Sequence, residues 1–203
     1  MGSERLGVLR KMLERRDAKI EQLEALIAAK ETLPSVPYDM VSIDPGKAVL
    51  AYAFWSHHGV RLVGGGVLDV EHVEYQPFSD LVSAMRQKAT AMASSRVGLA
   101  VRAVVELMTH YPDSRRSQPA DLIAVATMGA MVGALWARRL VFIRPDQWKG
   151  QVPKIVTQLR VHDALSDEER GVLDKLLQKT PKRFHHDLYD AVGIGLHHQG
   201  RYK

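Results

Sequence analysis

Val41-Ser42-Ile43-Asp44-Pro45-Gly46, running on into Val49-Leu50-Ala51-Tyr52-Ala53-Phe54-Trp55, decides how this 203-residue chain is read. It reads as an apolar strand that ends in a carboxylate, turns at Pro-Gly and returns as a second strand. Asp44 stands where the first strand runs out. A carboxylate at the end of a buried strand needs a polar partner or a cation. Turn chemistry before Pro-Gly also places Asp there, so Asp44 gains meaning only if other acids join it.

Outward from this hairpin, the chain divides at Leu33-Pro34-Ser35-Val36-Pro37, whose prolines end a helix and disallow a central strand. Residues 1–37 read as a helix with a Pro linker, and residues 38–203 as the main domain. Within the leader, Leu6, Leu13, Ile20 and Ile27 recur every seven residues, with Leu9 and Leu23 three residues after the first and third. This is a weak a/d seam, since Arg16 and Lys30 fill the remaining d positions. A short dimerising coiled coil and an amphipathic helix lying on its own domain both fit it.

Downstream, Val60–Leu68 reads as a third strand whose three glycines mark a bulge or a close backbone approach. No GK[ST] follows them, which excludes a phosphate loop. Ser79 caps an expected helix over 80–92, with Leu81, Val82, Met85, Ala89 and Met92 on one face. Leu99–Glu106 is a strand that again ends in a carboxylate. A polar loop over 109–119, carrying Arg115-Arg116, leads to a small-residue helix over 120–137. Leu140–Ile143 is then expected as a wholly apolar strand covered on both faces. After a loop at 144–150 and a short helix over 152–161, Ser166-Asp167-Glu168-Glu169 forms a capping box that opens a helix to Lys179. The last helix, His185–His198, places Asp187 and Asp190 three residues apart on one face and is otherwise largely apolar. Its acids sit in the first turns, where the helix dipole favours negative charge.

Four acids thus stand out: Asp44 and Glu106 at strand ends, Asp187 and Asp190 on a helix. Brought together, they would repel one another or take up protons unless a divalent, oxygen-seeking cation such as Mg²⁺ joined them. Two such ions in a site are suited to phosphodiester hydrolysis. The chain has no cysteine, which excludes disulfides and thiolate-bound zinc. Its net charge of +5 and pI near 9.5 favour an anionic partner such as nucleic acid. No apolar run was expected to reach the roughly 18 residues of a membrane span. The charged N-terminus lacks a signal-peptide core, so a cytoplasmic protein is expected.

The order of three strands, helix, acidic strand, helix, strand and acidic C-terminal helix resembles the RNase H-like superfamily. Within it, Ile43-Asp44-Pro45-Gly46, Val105-Glu106 and Asp187-Leu188-Tyr189-Asp190-Ala191-Val192-Gly193-Ile194-Gly195 are similar to the motifs of RuvC Holliday-junction resolvases, over about residues 40–198. The resemblance implies an α/β, RNase H-like fold, a mixed five-stranded sheet flanked by helices, here with an extra N-terminal helix. It makes Asp44, Glu106, Asp187 and Asp190 the catalytic, metal-binding set, holding two Mg²⁺ ions with Mn²⁺ as a substitute. It places Lys149 and Lys154 near the DNA backbone. Three departures are visible: the leader, the helix begun at Ser166, and Leu107-Met108-Thr109 where resolvases carry a junction-wedging aromatic. Tyr111 is the nearest aromatic.

Arg115, Arg116 and Trp148 complete the expected DNA contacts, the cations on phosphates and the indole on a base or sugar, unless it covers the sheet edge. Among the paired histidines, His186 stands out because it adjoins Asp187. The reading is a metal-dependent, structure-selective endonuclease that resolves four-way junctions as a homodimer, in a bacterial or phage-infected cell. Alternatives are an RNase H-like nuclease for flaps or forks, and a non-catalytic DNA-binding scaffold.

Overall fold

The computed structural model describes residues 38–56, 61–70, 77–94, 100–108 and 119–202. The expected leader helix, its Pro linker, His57-His58, Tyr111, Arg115 and Arg116 lie outside these residues.

Five strands, β1 (Tyr38–Pro45), β2 (Val49–Ser56), β3 (Leu62–Asp69), β4 (Ala100–Glu106) and β5 (Ala137–Ile143), form one sheet in the order β3-β2-β1-β4-β5. β1 pairs antiparallel with β2, and β2 with β3, while β1, β4 and β5 run parallel. The sheet is therefore mixed, as expected. Helices α1 (Phe78–Ser94) and α2 (Pro119–Trp136) cover one face. The other carries the single turn α3 (Pro145–Trp148), then α4 (Lys154–Ala164), α5 (Asp167–Lys179) and α6 (His185–His198).

The period-two geometry of a strand sorts β1 between these layers. Val41 and Ile43 enter the core under α1 and α2, whereas Met40 joins the core under α6. Ser42 and Asp44 share the Met40 face by that alternation. On β4, Ala103 and Val105 face α2 and Val104 faces α6, which puts Glu106 on the α6 side too. The glycines of β3 mark a close approach, as expected: a Cβ on Gly65 would lie 2.5 Å from the Tyr52 carbonyl and 3.3 Å from Leu176 of α5.

Several boundaries differ from expectation. β5 begins at Ala137, not Leu140, and is an edge strand; Arg138 and Arg139 are solvated there and Phe142 is 46% exposed, so both faces are not covered. α1 starts at Phe78, so Ser79 lies inside the first turn, its hydroxyl on Asp80. Pro145–Trp148, expected as loop, closes a helical turn, aided by the Arg144 N–H on the Gln147 side chain at 2.8 Å. By length and composition α2 could cross a membrane, contrary to expectation, but Met128, Val132 and Trp136 pack it on the sheet as a core helix. The capping box at Ser166 is present.

Candidate active site

Parallel pairing brings the first two acids together. Ile43 of β1 lies opposite Val105 of β4, and the next residue on each strand is an acid, Asp44 and Glu106. Both strands end at the same edge of the sheet, with both carboxylates on the α6 side. α6 crosses this face, burying Leu188, Ala191, Val192, Ile194 and Leu196 against the sheet. Its opening turns carry Asp187 and Asp190 into the same cleft, a cavity of about 400 Å³. Lys47, Met108, Lys149, Lys154 and His186 also line it.

α6 approaches so closely because it offers glycine where two tryptophans stand. A Cβ on Gly193 would lie 2.5 Å from Trp148, and one on Gly195 2.2 Å from Trp55. Any larger side chain at either position would push the acid-bearing helix off the sheet.

Lys149 forms ion pairs with two of these acids, while Lys47 and Lys154 also line the cleft. The Lys149 ammonium is 2.8 Å from Asp190 Oδ2 and 3.2 Å from Glu106 Oε2, and it lies 4.9 Å from the centre of the Trp148 ring. The Trp148 indole N–H donates to Glu106 Oε2 at 2.7 Å. His186 Nε2 is 3.0 Å from Asp187 Oδ1.

Electrostatics show how strained this grouping is. Burial, then repulsion from Glu106, Asp190 and Asp187, raises the Asp44 carboxyl well above its usual range against the pull of Lys149. Burial also raises Glu106, although Lys149 and the Trp148 hydrogen bond oppose it. Asp187 is raised by burial against the influence of His186 and Lys154. Burial works against the charge on Lys149, but Glu106, Asp190 and Asp44 outweigh it and lift its pKa above the ordinary range. Lys149 pairs with only two of the four carboxylates, and Asp44, Glu106 and Asp187 stay raised despite the nearby cations.

The donor set is chemically suited to hard divalent cations: all four acids offer carboxylate oxygens to one open cleft, and Mg²⁺ accepts a few carboxylates while keeping waters. Among the described residues, no three acidic or imidazole side chains already close around a point as a ligand cage. Lys149 spans Glu106 and Asp190 instead.

Of the expected DNA contacts, Lys149 is ion-paired inside the cleft and Lys154 is exposed at its rim. Trp148 requires a correction. It is 4% exposed, packed under Gly193 and edge-on to Tyr202, so its ring faces are not open to a base. Its apolar bulk fills the core while its one donor satisfies Glu106. This link was missed from sequence, as was the buried hydroxyl of Ser42. The sequence signals were a tryptophan just past an apolar strand and a lone polar residue within one.

Strand order, parallel β1–β4 pairing and acids converging from two strand ends and a covering helix define an RNase H-like fold. The Thermus thermophilus RuvC structure matches with a TM-score of 0.50 at 18% identity, covering 81% of this chain and 98% of that one. T. thermophilus RuvC in complex with Holliday junction substrate gives 0.49 at 18%, covering 81% and 97%. The yeast mitochondrial Holliday junction resolvase Ydc2 gives 0.35 at 12%, covering 87% and 86%. No protein-family profile and no curated protein matches the sequence. The chain has the RuvC-like Holliday junction resolvase fold. At 18% identity the likeness establishes the fold, and the chemistry rests on the site's own residues.

Proposed function

We propose that this chain is a divalent-metal-dependent endonuclease that resolves four-way DNA junctions. The observation that carries the reading is the convergence of Asp44, Glu106, Asp187 and Asp190 in one cleft of a RuvC-like fold.

Asp44, Glu106, Asp187 and Asp190 would hold two Mg²⁺ ions, with Mn²⁺ as a substitute. Such ions would activate an attacking water and stabilise the leaving oxygen of a phosphodiester. The chain's own groups do the rest. The sheet edge and α6 hold the carboxylates at fixed positions, which lowers the cost of assembling them around cations. Trp148 fixes one oxygen of Glu106. Lys149, once displaced from Asp190, and Lys154 present positive charge to the DNA backbone.

Resolution needs two incisions related by symmetry, and a two-fold dimer supplies two sites. A face for the second copy is available on α2. From Leu122 to Ala137 that helix and its exit carry no charged residue, yet Ile123 is 68% exposed, and edge strand β5 leaves Phe142 exposed. The location proposed with this reading is the cytoplasm of a bacterial or phage-infected cell.

A second reading, cleavage of flaps or forks, is favoured by Met108, which lines the cleft two residues after Glu106 where the resemblance implies an aromatic wedge. Labelled four-way junctions, flaps, forks and linear duplex incubated with the chain in Mg²⁺ separate these readings. Paired nicks in the junction arms support resolution. Preferred cutting of flaps or forks selects the second reading, and equal cutting of linear duplex overturns both.

A further inference from the structure

Ser42 is the one fully buried hydroxyl among the apolar positions of β1. It lies two residues before Asp44 and on the same face of the strand. Its hydroxyl donates to the carbonyl of Ala191 at 2.6 Å, and Ala191 directly follows Asp190 on α6. The same oxygen accepts the indole N–H of Trp55 at 2.8 Å. Trp55 in turn is the ring against which Gly195 rests, one helical turn beyond Ala191.

Apolar packing between a helix and a sheet is non-directional, so it fixes the distance of α6 from the sheet better than its position along its own axis. A shift of one residue along that axis moves the helix by about 1.5 Å. The buried, directed hydrogen bond from Ser42 to Ala191 opposes such a shift, with the Trp55 N–H of the neighbouring strand orienting the hydroxyl that makes it, and in a dry interior such bonds are stronger than in water. The pin ties the strand that carries Asp44 to the helical residue beside Asp190.

We infer that Ser42 is a positioning residue that sets the separation of Asp44 from Asp190, and thereby the shape of the cation site. This rests on the reading of the four acids as a metal-binding nuclease set. Ser42 touches neither substrate nor cation. It acts through Ala191 and Trp55.

The test compares the full chain with Ser42→Ala and Ser42→Thr, below the melting temperature of all three. Three readouts are taken: steady-state junction cleavage, Mn²⁺ binding followed by the paramagnetic signal of free Mn²⁺, and hydrogen exchange of the amides at 187–191. Loss of positioning by about 1 Å predicts a fall in kcat of about 10²-fold with KM for the junction unchanged. Misplaced ligand support predicts Mn²⁺ binding weakened by about 10-fold or more. The 187–191 amides should exchange faster in Ser42→Ala, while those of α1 stay as they were. Ser42→Thr, which keeps the hydroxyl, should restore kcat and Mn²⁺ binding even if its extra methyl lowers the melting temperature. Should Ser42→Ala not fold, Ser42→Cys takes its place.

Wild-type kcat and Mn²⁺ affinity in Ser42→Ala would overturn the inference, as would equal losses in Ala and Thr, which assign the effect to packing. If wild type neither cleaves nor binds Mn²⁺, the nuclease reading fails, and the exchange rates alone decide whether Ser42 holds α6. Unchanged rates then overturn the pin as well.

Discussion

Two glutamates in this protein are almost equally hidden, and their carboxyl groups are pushed in opposite directions. Glu169 of α5 is 2% exposed and Glu106 of β4 is 1% exposed. Around Glu169 every demand is met. Arg201 reaches both oxygens, Leu62 N–H donates to Oε1 at 2.9 Å, and Ser166 N–H donates to Oε2 at 2.9 Å. Burial opposes its charge, but Arg201 and the two backbone donors overcome it and lower the pKa to about 2. Glu106 has one indole N–H and a share of Lys149, and it faces Asp44 and Asp190. Its carboxyl is raised. Surface exposure is the same, but Glu106 lies deeper among protein atoms, and its fewer partners and neighbouring like charges add to that heavier desolvation. The Glu169 clamp joins α5, the start of β3 and the C-terminal segment. The acidic cleft is left short of positive charge, which is the condition a cation-binding site requires.

The contrast breaks most sharply at its acidic end. Asp190→Asn removes a carboxylate from the proposed cation set and should cut junction cleavage by about 10³-fold or more while junction binding persists, as incision assays and gel-shift titration would show. At the other end, Arg201→Ala leaves Glu169 buried without its main cation. Losing one partner of a buried pair costs about 3–5 kcal/mol, to be read from urea unfolding, with cleavage retained wherever the variant is folded.

Trp148→Phe sharpens the comparison, since it keeps a ring under Gly193 but removes the donor to Glu106. A hydrogen bond supporting a ligand predicts a drop in activity or metal affinity of about 10–100-fold, measured as kcat and as Mn²⁺ binding. Its effect on stability should be about 1–3 kcal/mol, from the unsatisfied oxygen and the smaller ring.

The smallest effects appear in metal-free protein as pH changes. Glu169 has a depressed folded pKa, so its contribution is present above pH 4.5 and is lost as pH falls through about 2. Asp44 and Glu106 have raised values, so they favour folding fully below their unfolded pKa values, and that benefit is lost as pH rises through the folded ones. Asp44→Asn should therefore stabilise the metal-free protein at neutral pH by about 1 kcal/mol. Unfolding curves at stepped pH for wild type, Asp44→Asn and Arg201→Ala check both signs. A destabilised Asp44→Asn at neutral pH would remove the distinction between the two regions.

Much of this arrangement was legible in the residues. Strand, Pro-Gly turn and returning strand around Asp44 are local patterns, and an acid closing an apolar run can be seen at both Asp44 and Glu106. The i, i+3 spacing of Asp187 and Asp190 on an apolar helix shows equally well. What stayed hidden depends on depth and on long separations. Trp148 beside Lys149 looks like a nucleic-acid contact, and nothing local says that the ring is inside with its N–H on a glutamate 42 positions away. Ser42 meets Ala191 across 149 positions. Glu169 was accounted for by its capping box, which concealed its pairing with Arg201. Arg138 and Arg139 break an apolar run and so hide the start of β5, and only an edge strand lets them reach water.

The account stands or falls on the cleft's need for cations. Crystals soaked in Mn²⁺ and measured at the manganese absorption edge test it directly. Anomalous peaks bounded by Asp44, Glu106, Asp187 and Asp190, with the Lys149 ammonium moved off Asp190, are the predicted result. A cleft without such peaks at saturating Mn²⁺, with Lys149 still joining Glu106 and Asp190, would contradict it.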